Sequence, residues 1–396
     1  VADLPTSDDV LGALRGVIDP ELGADIVELG MARSATVAPD GAVRVTVALT
    51  TAGCPLRAQL MRDVVTRVEG LPGVTSVSID WAEMTAEQKS AAMDVARKAA
   101  QGSAGPNAVP TGARVLAVAS GKGGVGKSSV TANLAAALAA RGFAVGVIDA
   151  DIWGFSIPRM LGLEGRLAAE ATPDGGRRIQ PHSLPVGAGR LDVVSMGLLV
   201  DDETDALMWR GLILNRAVQH FLEDVAWADD LDYLVIDLPP GTGDVQMGLA
   251  RMLPQAQMLV VTTPALAAQR VAARAVTMAR KSHLHVLGVI ENMSAFRCEH
   301  GDLHAVFGSG GGEALAAEAG IPLIGTIPLE PAVSAGGDAG APVALGEGDA
   351  ADALRAIADR LVDDLAPPVA MAGCSARMLA AATAALDAAA LDSAAG

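Results

Sequence analysis

The sequence predicts an α/β protein: a mostly parallel-sheet domain with a phosphate-binding loop, preceded by a small α+β domain. Three observations carry this expectation. After residue 112, short apolar runs alternate with helical stretches, the pattern of parallel strands covered on both faces. A glycine-rich loop stands between the first of those strands and the first of those helices. Before residue 100, alternating strands and helical stretches fill a compact segment of ordinary domain size.

In chain order, Ser7-Asp8-Asp9 opens a helix, with acids where the helix dipole favours them. Asp40-Gly41 forms a hairpin-type turn, and Ala42–Leu49 alternates with the strand period. Pro55–Val68 carries helical spacing and Val74–Ile79 alternates again, so residues 1–83 read as the small α+β domain. Residues 84–112 read as a helix over 84–100 and a flexible connector, Gln101–Gly112, dense in Gly, Pro and small polar residues. The larger domain spans 113–365. Its strands are expected at Arg114–Ala119, Ala144–Ile148, Asp192–Val194, Tyr233–Ile236, Met258–Val261, Val286–Ile290 and Leu323–Ile327. Its clearest helices are Ser128–Ala140, Leu214–Ala226, Ala265–Ser282 and Gly312–Ala319. Residues 366–396 are an Ala-rich tail.

Composition narrows the class. The chain has 396 residues, enough for two or three domains at roughly 150 residues each. A net charge of −17 argues against a protein that coats nucleic acid or an anionic membrane. No apolar run reaches the roughly 18–20 residues of a transmembrane helix, and the acidic N-terminal segment lacks the features of a signal peptide. Three cysteines over this length make no disulfide framework. The expectation is a cytoplasmic chain without nucleic-acid or membrane partners.

Strand Val115–Ala119 runs into Ser120-Gly-Lys-Gly-Gly-Val-Gly-Lys-Ser-Ser129, which satisfies two patterns at once. Gly121, Gly123 and Gly126 fit the dinucleotide fingerprint, with Asp149 ending the next strand where a ribose-binding acid would sit. Gly121, Gly126, Lys127 and Ser128 fit the phosphate loop G-x-x-x-x-G-K-[ST]. The Lys-Ser pair separates the two. A triphosphate site needs a lysine on the terminal phosphates and a hydroxyl on magnesium, whereas a dinucleotide site needs neither. Asp237, ending the buried strand before Leu-Pro-Pro-Gly-Thr-Gly-Asp244, stands where an acid would serve the magnesium shell. The loop reads as a nucleoside triphosphate site.

The extra lysine, Lys122, is the mark of a subgroup. Lys122-Gly-Gly-Val-Gly-Lys-Ser-Ser129 resembles the deviant Walker A loop of the MinD, ParA, Mrp and nitrogenase-iron-protein ATPases. Asp149–Gly162, Asp237–Asp244, Glu291-Asn-Met-Ser294, Phe307–Gly312 and Ile327–Pro331 follow in order, and together they resemble the Mrp/ApbC branch, the iron–sulfur cluster carrier ATPases. Asp19–Gly30 and Thr50-Thr-Ala-Gly-Cys-Pro55 resemble the small iron–sulfur-assembly-associated domain often fused to that ATPase. The resemblance implies ATP hydrolysis with Mg2+ in a homodimer, and transfer of an iron–sulfur cluster to apoproteins, with cluster-assembly proteins as partners. By position it assigns the nucleotide to Gly121, Lys122, Gly123, Gly124, Val125, Gly126, Lys127, Ser128 and Ser129, and its adenine to Asn292. Lys127 neutralises the terminal phosphates, Lys122 reaches the partner's nucleotide, and Asp151 orients the attacking water. Ser128 binds magnesium, with Asp149 and Asp237 in its shell; a strand-end cap is the other reading of each of these two acids.

The resemblance also implies a Cys-x-x-Cys pair after Asn-Met-Ser, from which two subunits would supply four thiolates to a bridging cluster. Here Cys298 is in place but Gly301 stands at the second position. Several outcomes stay open: ligation by His300 or His304, recruitment of Cys54 or Cys374, a two-iron cluster, or no cluster and a nucleotide-dependent switch acting through protein partners. A ParA-like positioning ATPase on DNA is disfavoured by the acidic composition.

Overall fold

The computed structural model describes residues 4–50 (except 20, 21 and 23), 57–95 (except 86, 90, 93 and 94), 109–171 (except 152 and 153), 177–241 (except 200–217) and 248–369 (except 251). Residues 101–108 of the expected connector, most of the helix over 84–100, and the alanine-rich tail beyond residue 369 therefore lie outside the described residues. Two compact units divide the chain at residues 104 and 105.

In the first unit, Thr6 and Asp9 cap helix α1 (Ser7–Leu14) reciprocally. The Thr6 hydroxyl accepts from the Asp9 amide at 3.2 Å and the Asp9 carboxylate from the Thr6 amide at 2.8 Å, satisfying amides the first turn leaves unpaired. The short strands β1 (Ile18–Asp19) and β2 (Ala24–Asp25) pair antiparallel. Strands β3 (Ala32–Val37) and β4 (Ala42–Leu49) form the hairpin across Asp40-Gly41. Helix α2 (Arg57–Glu69) then crosses over to β5 (Ser76–Glu83), which runs parallel to β4. Val45 and Val47 on β4 meet Leu60 and Val64 on α2 in one core, so the alternation in the strand and the helical spacing address the same interior.

The second unit begins with β6 (Arg114–Ser120), α3 (Lys127–Ala140) and β7 (Ala144–Asp149). Next come the short α4 (Ile157–Met160) and strands β8 (Ala168–Ala171), β9 (Arg177–Gln180), β10 (His182–Val186) and β11 (Gly189–Ser195). After β12 (Tyr233–Asp237) and β13 (Gln257–Thr262), α5 (Leu266–Lys281) leads to β14 (His285–Arg297) and the two-residue β15 (Leu303–His304). Helix α6 (Gly311–Ala319), β16 (Leu323–Leu329), α7 (Pro331–Asp338) and α8 (Asp349–Arg360) complete it.

Nine strands form one sheet, in the order β10-β11-β7-β12-β6-β13-β14-β15, with β16 also on β14. Strands β11, β7, β12, β6, β13, β14 and β16 are parallel, and only the β10 and β15 pairings are antiparallel. Strands β7, β12 and β13 are buried along their whole length, as their unbroken apolar runs require. One face of the sheet packs against Leu134 and Leu138 of α3 and Leu354 and Ile357 of α8. The other packs against Phe221, Leu222, and Ala272 and Val276 of α5. This is the mostly parallel α/β fold that the sequence predicts. Helix α3 is buried on nearly every side because its face is built of alanine between Leu134 and Leu138, so sheet and neighbouring helix both approach closely. No helix among the described residues is long and apolar enough to cross a membrane.

Strand β14 departs from expectation. Its apolar run ends at Ile290, yet the strand continues to Arg297 through residues that are only half-buried at Met293–Phe296. Pairing with β16 sustains the extension, with a register shift between Asn292 and Phe296.

Candidate nucleotide site and cysteine hairpin

Parallel strands all deliver their carboxyl ends to one edge, and the candidate residues gather there. β6 ends at Ser120, and the loop Gly121–Gly126 turns the chain into α3. Gly124 and Gly126 take φ of +79° and +80°, the left-handed region that a side chain disfavours. A Cβ on Gly126 would also run into the Asn292 carboxamide, and one on Gly121 into the backbone of α5 at Val271 and Ala272. No side chain caps the first turn of α3, so its amides remain directed at whatever occupies the loop.

Beneath the loop lies a buried charge cluster. The Lys127 ammonium is 2.7 Å from Asp237 Oδ2 and 4.0 Å from Asp151 Oδ2, and its side chain is 6% exposed. Ser128 Oγ donates to Asp237 Oδ2 at 2.5 Å, and Thr131 Oγ1 to Asp237 Oδ1 at 2.8 Å. Asp237 itself is fully buried. Lys127, Ser128 and Asp237 thus share one centre, with Asp151 at its margin. Thr131 is a member that the sequence reading missed. Its position one helical turn after Lys127 was the available signal, since residues four apart share a helix face.

Asp149 lies beside this centre but serves the chain itself. Its carboxylate accepts from the amides of Asp151 (3.2 Å), Ser156 (3.1 Å) and Ile157 (3.3 Å) and from Ser195 Oγ (3.1 Å). These bonds make it a strand-end cap that fixes the turn carrying Asp151. Complete burial pushes its carboxyl up to about 7, the Asp237 charge adds to the rise, and the Lys127 ammonium opposes it.

Asn292 stands on β14 against the loop, where its Nδ2 donates to the Val125 carbonyl at 2.9 Å. A cavity of about 250 Å³ opens alongside, lined by Gly126, Ser129, Asn292, Met293, Pro328 and Leu329, among others. The Asn-Met-Ser segment and the Pro328 loop therefore meet at one pocket beside the helix N-terminus. The neighbouring Glu291 is buried and accepts the Gly312 amide at 2.5 Å, which joins the Phe307–Gly312 motif to the same strand. Lys122 and Gly123 are exposed on the outer side of the loop.

Five residues beyond Met293, just past the end of β14, Cys298 opens the turn of an exposed hairpin. The Cys298 amide donates to the Asp302 carbonyl and the Gly301 amide to the Cys298 carbonyl, both at 2.9 Å. Gly301 holds φ of +89°, so the turn favours glycine where the resemblance implies a second cysteine. A hydrogen bond with the His304 side chain, supported by the His300 and Asp302 amides and the His300 ring, lowers the Cys298 thiol to about 7. Among the described residues of one chain, no three His, Cys, Asp or Glu side chains converge as a metal site. Cys54, Cys374 and the Thr242–Asp244 turn lie outside the described residues.

Two measurements follow from this geometry. Thr131→Val removes a hydrogen bond to a buried carboxylate, so urea unfolding should show a loss of about 1.5–3 kcal/mol. In metal-free protein, alkylation of Cys298 followed by peptide mass spectrometry should be half-maximal near pH 7, because the lowered thiol supplies thiolate from that pH upward. His304→Ala should move the midpoint toward the ordinary value of 9.0.

Comparison with known proteins agrees with the site. The NUBPL iron-transfer P-loop NTPase family matches residues 112–362, and the iron–sulfur cluster assembly protein family matches residues 7–79. A protein of Mycobacterium tuberculosis named iron-sulfur cluster carrier protein is 45% identical over 358 residues, covering 88% of this chain and 91% of its own. One of the same name from Synechocystis is 40% identical over 364 residues, covering 90% and 97%. Among solved structures, the nucleotide-binding protein of Archaeoglobus fulgidus in complex with ADP is 36% identical, with a TM-score of 0.50, and covers 60% of this chain and 89% of its own. With both of its units matched and nearly the whole length of these relatives covered, the chain belongs to the family of iron–sulfur cluster carrier proteins built on an iron-transfer P-loop NTPase.

Proposed function

We propose that the protein binds and hydrolyses ATP as a homodimer, holds an iron–sulfur cluster between its two copies, and passes that cluster to apoproteins. The observation that carries the reading is the course of β14. This one strand places Asn292 on the Val125 carbonyl of the glycine loop and ends beside Cys298, so a single strand connects the glycine loop to the cysteine hairpin.

The residues at the loop suit a magnesium triphosphate. Ser128 and Asp237 offer adjacent oxygen donors, the type that magnesium takes, at the helix N-terminus that receives the phosphates. Bound there, magnesium supplies neutralisation of the charge on the phosphate oxygens. Lys127 would turn from Asp237 to the terminal phosphates. Asp151, held by the Asp149 cap, orients the attacking water. Asp149, its oxygens occupied by the protein, acts on the magnesium shell through charge and by positioning Asp151. Asn292 and the Pro328–Leu329 wall accommodate the adenine. Exposed Lys122 is available to the nucleotide of a second copy, an analogue of an arginine finger supplied in trans.

A second reading, a nucleotide-dependent dimeric switch without a cluster, is favoured by one observation: Gly301 occupies the place of the second cysteine. Anaerobic reconstitution with iron and sulfide separates the two. The carrier reading expects a stoichiometric cluster that transfers to an apo-ferredoxin and is lost in Cys298→Ala. Wild-type protein that takes up no cluster while hydrolysing ATP would establish the switch.

The lysines have distinct expected phenotypes. Lys127→Ala should abolish ATP binding in calorimetry. Lys122→Ala should keep most binding and lose hydrolysis and nucleotide-linked dimerisation; normal turnover in this variant would overturn the trans-lysine assignment.

A further inference from the structure

The cysteine hairpin has an incomplete ligand set and a histidine positioned to complete it. Position 301 is committed to the turn: its amide bonds back to the Cys298 carbonyl and its φ is left-handed. Across the hairpin, β15 pairs His304 with Phe296, and the His304 ring lies 6.4 Å from the Phe296 ring, tilted by 33°. His304 is therefore held by strand pairing and ring packing. Cys298 is two residues from Phe296 and its amide bonds the Asp302 carbonyl, so the alternation of the hairpin puts Cys298 and His304 on one face as diagonal neighbours. His300 lies in the exposed turn rather than on a strand. Leu303 (63% exposed), Val306 (57%) and Phe307 (43%) stand exposed beside the hairpin's charged residues, leaving apolar surface open to a second copy.

We propose that Cys298 and His304 are the ligand pair of each protomer, and that two copies together hold a two-iron, two-sulfide cluster through two thiolates and two imidazoles. Each Cys298 gives up its proton on binding, and each His304 binds as the neutral imidazole. Two thiolates with two imidazoles is the donor set of the Rieske two-iron centres, which points to a two-iron cluster. Among the described residues one protomer brings no three such ligands together, and a second copy would complete the set. Replacing two thiolates by neutral imidazoles leaves the oxidised cluster two negative charges short of an all-thiolate one, which raises its reduction potential. The inference rests on the carrier reading above and adds the identity of its ligands.

The experiment is anaerobic reconstitution of the full chain with iron and sulfide, in wild type, His304→Ala, His304→Cys and His300→Ala, with thermal melts confirming that each variant is folded. Bound iron and sulfide are quantified, and the dithionite-reduced samples are examined by pulsed EPR for strongly coupled nitrogen. Wild type should bind equal iron and sulfide and show the nitrogen coupling, and His300→Ala should match it. In His304→Ala, bound iron should fall about tenfold or more, a loss that removal of an outer-shell residue can match at roughly 10–100-fold, so the wild-type nitrogen coupling is what marks a ligand. His304→Cys should regain the cluster without the nitrogen signal. A wild-type cluster without nitrogen coupling, or one that survives in His304→Ala, overturns the histidine assignment while leaving the carrier reading intact. Uptake of a single zinc without sulfide overturns the cluster assignment, because two Cys and two His also suit tetrahedral zinc. No metal uptake at all overturns this inference and the carrier reading together.

Discussion

The second unit is organised around a carboxylate that water cannot reach. Asp237 ends a strand buried along its whole length, at the centre of a sheet whose faces are both covered. A lone charge in that position would cost several kcal/mol, so its partners are obligatory. Lys127, Ser128 and Thr131 supply them, all from the first turn and a half of α3. The register of α3 on the sheet is thereby tied to the glycine loop before it. The loop in turn needs Gly126 because Asn292 of β14 occupies the space a side chain would take. The cluster thus links β12, α3, the loop and β14 through specific contacts rather than general burial.

β14 gains its significance from this arrangement. Its first half is an ordinary buried parallel strand between β13 and β16. Its second half leaves the core as a half-exposed ribbon ending in a hairpin. The change occurs at Met293, a non-glycine residue at φ +57°, where the pairing with β16 also shifts register. A bulky residue held in that region stores local strain, and here it lies in the wall of the cavity beside the glycine loop. The transition from core strand to cysteine hairpin therefore takes place at that cavity.

The parts of this fold that were legible in the sequence are those whose causes are local. Strands β7, β12 and β13 are buried on both faces, and an unbroken apolar run states that directly. The glycine loop is contiguous, so Gly121, Gly126, Lys127 and Ser128 declare their common site by spacing alone. The second half of β14 was not legible, because its polar residues owe their strand conformation to β16, more than twenty residues away in sequence. Strand β8 is exposed and β9 half-exposed, and neither has the apolar alternation that marks a half-buried strand, while in the five-residue β10 only Leu184 and Val186 carry it. Helix α8 was likewise not expected, although Leu354 and Ile357 face the core. At the site, Asp149 reads in the sequence either as a magnesium acid or as a cap, and its bonds to Ser156, Ile157 and Ser195, which make it cap the chain, come from residues that no local pattern names. The position of His304, six residues from Cys298 yet on the facing strand, likewise depends on the turn between them.

The ion pair of Lys127 with Asp237 bears on the order in which ligands assemble. With the loop free of nucleotide, the lysine acts as a resident counter-ion for the buried acid. A nucleotide that draws the ammonium away without supplying another cation strands a buried charge, a penalty of about 3–5 kcal/mol. A nucleotide arriving with its divalent ion would replace one positive partner by another and escape that penalty. On the reading proposed above, metal and nucleotide would therefore bind with positive cooperativity, each raising the affinity for the other by the same factor. The buried pair would then act as a coincidence detector, discriminating the metal-complexed nucleotide from the free one before any bond is broken.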